Sequence, residues 1–439
     1  MQTRLALLIL FIPTIFFLAP LEAENRRPEG WPQWRGPGMQ GYSSDTSIPL
    51  TWSEKENLAW KTSLPGTGNS TPIIWGDRIF LTSSSDNGKE RHVICVGAKD
   101  GKILWQQTAA SAAAGEKTHA WNGFASPSCV TDGKHVYAFF GTPGLFCYDM
   151  DGKKIWQHTF GIFTSEAGWG TAASPFLFEN LVIQNCDNDG EKGMRGAAGT
   201  PAPESLVALD KSTGKVVWET PRNQGRGFST PCLIPAANGR IDLVLNGPKG
   251  VYAYDPKTGK ERWHCDRSDS KDQSRFGEPM PVFDGSMLFV VSGRPGPCQG
   301  IRMPDQGDVT RSHVLWESVR KGHRDVGSPI LVDGLLYSID NKATLTCTEL
   351  KTGKELYNER LGTGKSQGLA SPVYVKGKLL FVLDDGLTVV VEPGPQFKIA
   401  ARNRLGKGDT LEFGASPAIS EGQLFLRSQS TLYCIQQGK

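Results

Sequence analysis

One stretch of the sequence, residues 121–157, is repeated with variation along almost the whole chain. It reads WNGFASPSCVTDGKHVYAFFGTPGLFCYDMDGKKIWQ. Its short apolar runs are separated by Asp-Gly, Gly-Thr-Pro-Gly and Asp-Gly-Lys, which are turn sequences, so the unit predicts a four-stranded antiparallel meander. Since one such sheet cannot bury both its faces, it must stack on copies of itself.

The copies are identified by a small residue followed by proline at the start of each unit. This pair occurs at Thr71-Pro72, Ser126-Pro127, Ser174-Pro175, Thr230-Pro231, Ser328-Pro329, Ser371-Pro372 and Ser416-Pro417, with a weaker copy at Met280-Pro281. Eight units of four strands, each roughly forty to fifty residues long, are typical of a β-propeller. We therefore predict an all-β fold with eight blades.

Each unit closes on a tight turn that is followed by an aromatic residue. The copies end at Trp105, Trp156, Trp218 and Trp263, and, with Tyr in place of Trp, at Tyr357. Gly supplies the positive φ of the turn, and the Asp or Thr side chain bonds to turn backbone. The aromatic residue then returns on the outermost strand.

The two ends of the repeat region complement each other. Residues 56–66 (ENLAWKTSLPG) have the pattern of an outermost strand whose first three strands are missing, and the last unit, residues 413–437, lacks its fourth. Pairing residues 58–62 with the strand that ends at Cys434 would close the ring and remove its exposed edges. The propeller is therefore predicted to span residues 56–439.

The pattern Ala-x-Asp-x-x-Thr-Gly-Lys-x-x-Trp at residues 208–218 and 253–263 resembles the tryptophan-docking motif of the pyrroloquinoline quinone (PQQ) repeat family. That family includes eight-bladed quinoprotein alcohol dehydrogenases and the non-catalytic propeller subunit of the outer-membrane barrel assembly machinery. The docking Trp packs one blade on the next in both kinds of member, so the motif implies the fold and not an activity. The resemblance assigns this docking role to Trp60, Trp105, Trp156, Trp218 and Trp263.

The N-terminal residues are predicted to lie outside the ring. Residues 1–23 have a short positive start, an apolar run and a small residue at the cut, which predict a secretory signal. A retained transmembrane anchor is the alternative, but the run contains Pro13 and is shorter than the ~20 apolar residues of a span. Residues 24–55 are predicted to be an arm docked on the propeller. The mature chain is expected in the periplasm or outside the cell.

Composition narrows the range of partners. Lys and Arg number 48 and Asp and Glu 45, so the net charge of +3 gives no electrostatic case for nucleic acid. The seven His residues are scattered singly, which disfavours zinc, and no Gly-x-Ser-x-Gly elbow marks a hydrolase.

The meander also predicts where a ligand would bind. With strands A to D counted outward from the axis, the D-to-A and B-to-C connections share one face of the ring, and the other turns share the opposite face. Two long insertions, residues 187–204 and 294–312, are predicted in the B-to-C connections of blades three and five. We call the face that carries the D-to-A and B-to-C connections the insertion face.

The D-to-A connections reach toward the axis and contain large charged and aromatic residues. Such residues around a central funnel predict a binding site. For each residue taken singly, the alternative is that it is polar only because its connection is exposed to solvent. The candidates on this face are His119, Trp121, Asn122, Trp169, Arg226, Arg275, Glu278, Arg294, His323, Arg324, Asp325, Gln367 and Glu412.

The sequence indicates catalytic residues less clearly than it indicates a binding face. The resemblance implies a vicinal Cys-Cys pair, a calcium ion held by Glu, Asn and Asp, and an Asp base, but the sequence contains no Cys-Cys. Glu278, Asn122 and Asp325 are of the right types, and Asp325 and Glu278 are the weak catalytic candidates. Asp187, Asp189 and Glu191 imitate a calcium loop but lack its twelve-residue spacing, so a solvated turn is the favoured interpretation.

The cysteines are interpreted mainly as small core residues. Cys95, Cys147, Cys347 and Cys434 occupy one repeat position on strand C, where Ala stands in other blades. Cys186 and Cys298, beside the two insertions, are the one pair to test as a disulfide.

The sequence thus predicts an exported propeller that binds or scaffolds a protein, peptide or glycan partner at the insertion face and needs no cofactor. The alternative is a PQQ-dependent dehydrogenase that oxidises an alcohol or sugar, with PQQ and calcium bound.

Overall fold

Eight antiparallel sheets of four strands form the ring, as predicted. The structure is a computed structural model that describes residues 30–111, 117–165, 168–194, 199–236, 239–267, 277–292, 297–319 and 324–439. The predicted signal sequence and the candidates Arg275, Arg294 and His323 lie outside these residues. No helix among the described residues is both long and apolar enough to span a bilayer.

The strands of each blade follow the chain from the axis outward. Those of blades one to four are Ile73–Trp75, Arg78–Ser85, Glu90–Gly97 and Ile103–Ala110; Val130–Thr131, His135–Phe139, Leu145–Asp149 and Lys154–His158; Phe176–Phe178, Leu181–Asn185, Ser205–Asp210 and Val216–Pro221; and Cys232–Pro235, Ile241–Asn246, Gly250–Tyr254 and Glu261–Asp266.

Those of blades five to eight are Val282–Phe283, Met287–Val291, Pro297–Arg302 and Val314–Val319; Ile330–Val332, Leu335–Ile339, Thr344–Glu349 and Glu355–Arg360; Val373–Val375, Lys378–Val382, Leu387–Val391 and Ile399–Arg404; and Ala418–Ser420, Gln423–Arg427, Thr431–Gln436 and Leu58–Ser63. Short extra strands, Gly30–Trp31 and Gly307–Asp308, extend blades one and four, and Asp86–Gly88 and Gly190–Met194 are single helical turns.

The ring closes where the sequence predicted it. Leu58–Ser63 pairs antiparallel with Thr431–Gln436, and Trp60 lies opposite Cys434. Blade eight is therefore built from both ends of the propeller, which removes an edge strand that could pair with another chain.

A small residue on strand C faces an aromatic residue on strand D in most blades. Cys95, Cys147, Ala208, Ala253, Gly300, Cys347 and Cys434 lie opposite Trp105, Trp156, Trp218, Trp263, Trp316, Tyr357 and Trp60. The prediction that four of the cysteines share this repeat position is confirmed. All nine cysteines lie in the described residues and none is in a disulfide, so Cys186 and Cys298 are not joined. They belong to different hydrophobic clusters.

Five indoles dock on the turn of the next blade. Each ring covers a glycine whose φ is positive, so that an added Cβ would lie 2.4 to 2.7 Å from the Trp side chain. The pairs are Trp60 with Gly101, Trp105 with Gly152, Trp156 with Gly214, Trp218 with Gly259 and Trp316 with Gly353. Glycine is required here both for the backbone conformation and for the close approach of the ring.

Trp263 departs from the docking pattern. Its indole is fully buried, and its Nε1–H donates to Asp242 in its own blade at 2.9 Å. Gly307–Asp308 pairs in parallel with Trp263 and His264, so residues that follow strand C of blade five lie along the outer edge of this strand.

The predicted position of the second insertion is wrong. Residues 297–302 form strand C of blade five, so the B-to-C connection is only residues 292–296 and the extra residues lie in the C-to-D connection, on the opposite face. The sequence Cys298-Gln-Gly-Ile-Arg has too little apolar character to be read as a strand. The first insertion does lie between strands B and C of blade three, as predicted.

The N-terminal arm fills the ring axis on the face opposite the insertion face. Gly30–Trp31 pairs with the end of strand A of blade one, Pro32 accepts the N–H of Thr131 in blade two, and Ser43 donates to Tyr374 in blade seven. The buried guanidinium of Arg35 donates to the carbonyl of Pro329 in blade six at 2.7 Å. We call residues 30–43 the plug.

Candidate functional site

The axis holds a blind cavity of about 160 Å³ that opens toward the insertion face. Trp34 of the plug lines its lower end, and residues of the D-to-A connections line its mouth. The cavity exists because eight A strands converge without meeting and the plug fills only one end of the space they leave. It is the main candidate site on the axis.

The wall of the cavity is a ring of hydroxyl groups. Ser128, Ser174, Thr230, Ser371 and Ser416 line it, and each is at least 95% buried. Each hydroxyl oxygen accepts a backbone N–H from the preceding blade at 2.9 to 3.0 Å, and Thr71 adds a sixth hydroxyl. These bonds join neighbouring blades at the axis as the indoles join them at the rim.

Two details of this ring differ from the repeat assignment. In blade two the hydroxyl that enters the ring is Ser128, so the pair Ser126-Pro127 is two residues ahead of the true repeat position. In blade five the position is Met280, whose thioether cannot replace a hydroxyl, and Glu278 of the same connection lines the cavity instead. The ring is therefore open at blade five.

A stack of aromatic and charged side chains forms the upper wall. His119 lies on Trp169 with ring centroids 4.1 Å apart, and the Arg324 guanidinium lies 4.6 Å from the centroid of Trp169. Arg324 is also 5.1 Å from the centroid of Trp121, so one cation contacts both indoles. Burial lowers the pKa of His119, and the charge of Arg324 lowers it further.

An ion pair joins this stack to blade five. Arg324 donates to Glu278 at 2.5 Å, and the side chains are only 14% and 8% exposed. Asn122 fixes the neighbouring connection, because its Nδ2 donates to the carbonyls of Trp169 and Thr171 at 2.6 and 3.1 Å. The structure thus brings together six of the predicted residues: His119, Trp121, Asn122, Trp169, Glu278 and Arg324.

Other predicted residues lie away from the cavity. Asp325 is buried beside Asp340 in a backbone bridge and does not line the cavity, although Arg324 and Val326 do. Gln367 donates to Asp384 at 3.1 Å, and Arg226 forms an ion pair with Asp189 at 2.8 Å. Glu412 is on a connection of blade eight, and burial raises the pKa of its carboxyl.

Two of the three acidic candidates of blade three, Asp187 and Asp189, are bound by arginines. The interpretation of these residues as a solvated turn is wrong for Asp187, which is fully buried and pairs with Arg222 through bonds of 2.7 and 3.1 Å. Glu191 is exposed in a short helix. Among the described residues, no group of three His, Cys, Asp or Glu side chains is close enough to hold a metal ion.

The calcium ligands that the resemblance implies do not converge on one site. Asp325 is outside the cavity lining, and the Glu278 carboxylate is held by Arg324. A hard cation needs several free oxygen ligands around one point. The residues present do not fit such an ion.

Three contributors were missed by the sequence analysis. All the ring hydroxyls except that of Ser128 belong to residues used above only as repeat markers, and their place just before strand A could have indicated that they converge on the axis. Trp34 belongs to the arm, which is predicted above only to dock on the propeller, and it lines the cavity. Asn69, whose Nδ2 donates to the carbonyl of Asn122 at 2.9 Å, carries no pattern that marks it.

A groove of about 660 Å³ runs beside the cavity on blades one and two. It is lined by glycine-containing segments, by His119 and by Asn69. The glycines are Gly66, Gly68, Gly88 and Gly123. Asn69 also lines the cavity, and His119 stacks on the cavity residue Trp169. Groove and cavity are thus adjacent parts of one surface.

Comparisons of sequence identify two kinds of relative. The family model of "Outer membrane protein assembly factor BamB" matches residues 50–185. Polyvinylalcohol dehydrogenase of a Pseudomonas species is 25% identical over 280 residues, which are 54% of this chain and 40% of that protein. 1-Butanol dehydrogenase (quinone) of Thauera butanivorans is 23% identical over 305 residues, 64% of this chain and 42% of that one. The chain thus matches less than half the length of these dehydrogenases.

The assembly factor is matched over more of its length. BamB of Burkholderia pseudomallei is 22% identical over 354 residues, 73% of this chain and 83% of that protein. Among solved structures, BamB of Moraxella catarrhalis superposes with a TM-score of 0.61 at 16% identity, over 86% of this chain and 99% of that one. A quinohemoprotein alcohol dehydrogenase of Pseudomonas putida HK5 gives 0.62 at 12% identity, over 94% and 81%.

At these identities the structural matches show the fold alone, since one propeller serves catalytic and non-catalytic proteins. The chain is an eight-bladed β-propeller, similar in sequence both to BamB and to quinone-dependent alcohol dehydrogenases.

Proposed function

We propose that this propeller is an extracytoplasmic binding module that holds an extended peptide or glycan partner on its insertion face. The observation that carries the proposal is the adjacency of an open groove and a blind axial cavity. The partner's chain lies in the groove, and one projecting group enters the cavity. The N-terminal signal pattern and the similarity to an outer membrane assembly factor support a place outside the cytoplasm.

The groove suits a chain rather than a compact ligand. Thr67, Asp86 and Asn87 are exposed along it, so polar groups are available to hydrogen-bond main-chain or hydroxyl groups of a partner. His119 lies at the boundary between groove and cavity, where it can contact both parts of the partner. Affinity is expected to be modest, because the surface is polar and the polar groups must be desolvated.

The cavity supplies specificity. Its wall combines indole, an Arg324–Glu278 pair and hydroxyls, so a group that enters can stack and hydrogen-bond at once. The Arg324–Glu278 pair is fixed before the ligand arrives, so little ordering is needed on binding.

A PQQ-dependent dehydrogenase is the second candidate, and the sequence similarity to two dehydrogenases is what favours it. The calcium ligands weigh against it, because Arg324 holds the Glu278 carboxylate and Asp325 lies outside the cavity.

The test uses arrays of peptides and oligosaccharides probed with the purified mature chain and with Trp169→Ala. We expect a set of ligands that the wild type retains and the variant loses by at least tenfold. Lys102→Ala, a change in an exposed turn on the opposite face, is the matched control and should bind as the wild type does. Retention of every ligand by Trp169→Ala would contradict the proposal.

The dehydrogenase is tested separately. The chain is incubated with PQQ and calcium, and dye-linked oxidation of alcohols is measured together with the visible spectrum. The proposal predicts no stoichiometric quinone uptake and no turnover. Tight uptake with turnover that Glu278→Ala abolishes would replace the binding module with the enzyme.

A further inference from the structure

The hydroxyl ring has hydrogen-bonding capacity that the protein does not use. The oxygens of Ser128, Ser174, Thr230, Ser371 and Ser416 accept backbone N–H groups, and no acceptor for their hydroxyl protons lies within reach among the described residues. Buried polar groups are nearly always satisfied, by protein, water or ligand. Five buried O–H donors that face one small cavity therefore call for oxygen acceptors inside it.

Two buried arginines near the ring also lack a counter-charge. Arg35, 1% exposed, lies in the plug beside the cavity residue Trp34, with its guanidinium carbon 5.9 Å from that ring. Its Nη2 donates to two backbone carbonyls, and its Nε and Nη1 have no partner among the described residues. Burial lowers its pKa to about 10, which still leaves it charged at neutral pH.

Arg427 is the second such group. It is 1% exposed and bonds only to neutral oxygens, those of Ser70 and Thr82. Ser70 directly precedes the cavity residue Thr71. No carboxylate pairs with Arg35 or Arg427 in the part of the chain that the structure describes. With Arg324 balanced by Glu278, the cavity lies in a positive field from two uncompensated charges.

We propose that the hydroxyl ring is an oxyanion site, which takes a carboxylate, sulfate or phosphate group of the ligand. Such a group offers two to four acceptor oxygens to converging O–H donors, and its negative charge offsets the buried guanidiniums. Bonds from neutral donors to a charged acceptor are stronger than those to a neutral one. This inference rests on the proposed function and specifies the group that enters the cavity.

A crystal of the full mature chain, grown without sulfate or phosphate and soaked in selenate, tests the site directly. We expect an anomalous selenium peak in the cavity, at hydrogen-bond distance from at least three ring hydroxyls. A cavity that contains only water under these conditions would overturn the proposal.

Titrations identify the group. Sulfate, phosphate and acetate are each compared with dimethyl sulfone, a neutral molecule of similar shape, by calorimetry at constant ionic strength. At least one oxyanion should bind at least tenfold more tightly than dimethyl sulfone, and the tightest of the three names the group. Equal affinities for charged and neutral probes would contradict an oxyanion site.

Variants test the charge. Arg35→Met should weaken binding of the tightest oxyanion by roughly tenfold, because a full charge near a poorly solvated site is removed, and Arg35→Lys should weaken it less. Lys102→Met, in an exposed turn on the opposite face, is the control. Thermal unfolding checks that each variant folds. If Arg35→Met does not fold, Arg427→Met is used in its place. Unchanged affinity in a folded Met variant would overturn the role of the field.

The two proposals fail differently. If the arrays yield only neutral ligands that Trp169→Ala loses, the binding module stands and the oxyanion site falls. If no array ligand and no oxyanion depends on the cavity, both fall.

Discussion

The rim and the axis of this propeller join the same blades by different means. At the rim, indoles cover glycines of the next blade, and four of them donate to a carbonyl there: Trp60, Trp105, Trp156 and Trp316. At the axis, hydroxyls accept N–H groups, and the connections above them differ in every blade. The repeated contacts at rim and axis stabilise the ring, and the unrepeated connections add the aromatic and charged side chains of the candidate site.

The rim itself is not uniform. Trp263 turns into its own blade, and in blade seven Ala401 lies opposite Val390 where other blades have an aromatic residue. The ring tolerates these departures because the neighbouring blades still bury the sheet faces. Substitutions can therefore separate what the rim contributes from what the axis contributes.

The largest loss of stability should come from the closing strand. Trp60→Ala removes the indole that joins blades eight and one and its bond to Ala98, and should cost about 3 to 4 kcal/mol. Lys61→Ala, the next residue along, removes only an exposed ion pair with Glu54 and should change stability by less than ~0.5 kcal/mol. Guanidinium unfolding measures both. Equal losses would mean that Trp60 is not a docking residue.

The second-largest loss of stability should come from replacing a glycine that an indole covers. Gly353→Ala combines a φ of +72° with a Cβ 2.5 Å from Trp316, and should cost about 3 kcal/mol. Gly334→Ala has a φ of +75° with nothing within 4 Å, so only backbone strain of about 1 kcal/mol applies. The difference in urea midpoint between the two variants measures the docking contact alone. Equal midpoints would show that Trp316 can move away from the added methyl group.

Removing the indole N–H should lower the stability of the chain more at Trp263, which points into its own blade, than at Trp218, which docks on the next blade. Trp263→Phe deprives Asp242 of a donor and should cost about 2 kcal/mol, although Arg240 and Arg262 still pair with that carboxylate. The Trp218 N–H has no partner among the described residues, so Trp218→Phe should cost less than ~1 kcal/mol. Thermal unfolding of the pair checks the order, and the reverse order would contradict the geometry.

The smallest effect should be the pH response of His119. Its pKa is lowered in the folded chain from an ordinary value of 6.5. The unfolded chain therefore binds this proton first, so the stability that neutral His119 provides is complete above 6.5 and is lost as the pH falls below it.

Since this side chain is partly exposed, the loss should be well under the ~1.4 kcal/mol of a full pKa unit. Stability curves of the wild type and His119→Gln between pH 7.5 and 5 should diverge slightly, with the wild type losing more. Parallel curves would place the imidazole in open solvent.

The repeat made the ring predictable and left most of the site hidden. Strand order, blade number and the pairing of Trp60 with Cys434 follow from turn chemistry that recurs in the sequence. Candidates in the D-to-A connections could be named, but which of them point inward depends on alternation along each connection, so Arg324 lines the cavity and Asp325 does not. The lower end of the cavity was not predictable, because no repeat indicates that Trp34 lies on the ring axis.

The most direct test of the division between rim and axis is to measure stability and affinity on the same two variants. Trp105→Ala should lower the free energy of unfolding by about 3 kcal/mol and leave the affinity for the tightest array ligand within twofold of wild type. Trp169→Ala should weaken that affinity at least tenfold with little change in stability. The account is contradicted if Trp105→Ala abolishes binding in a folded chain, or if Trp169→Ala leaves it intact.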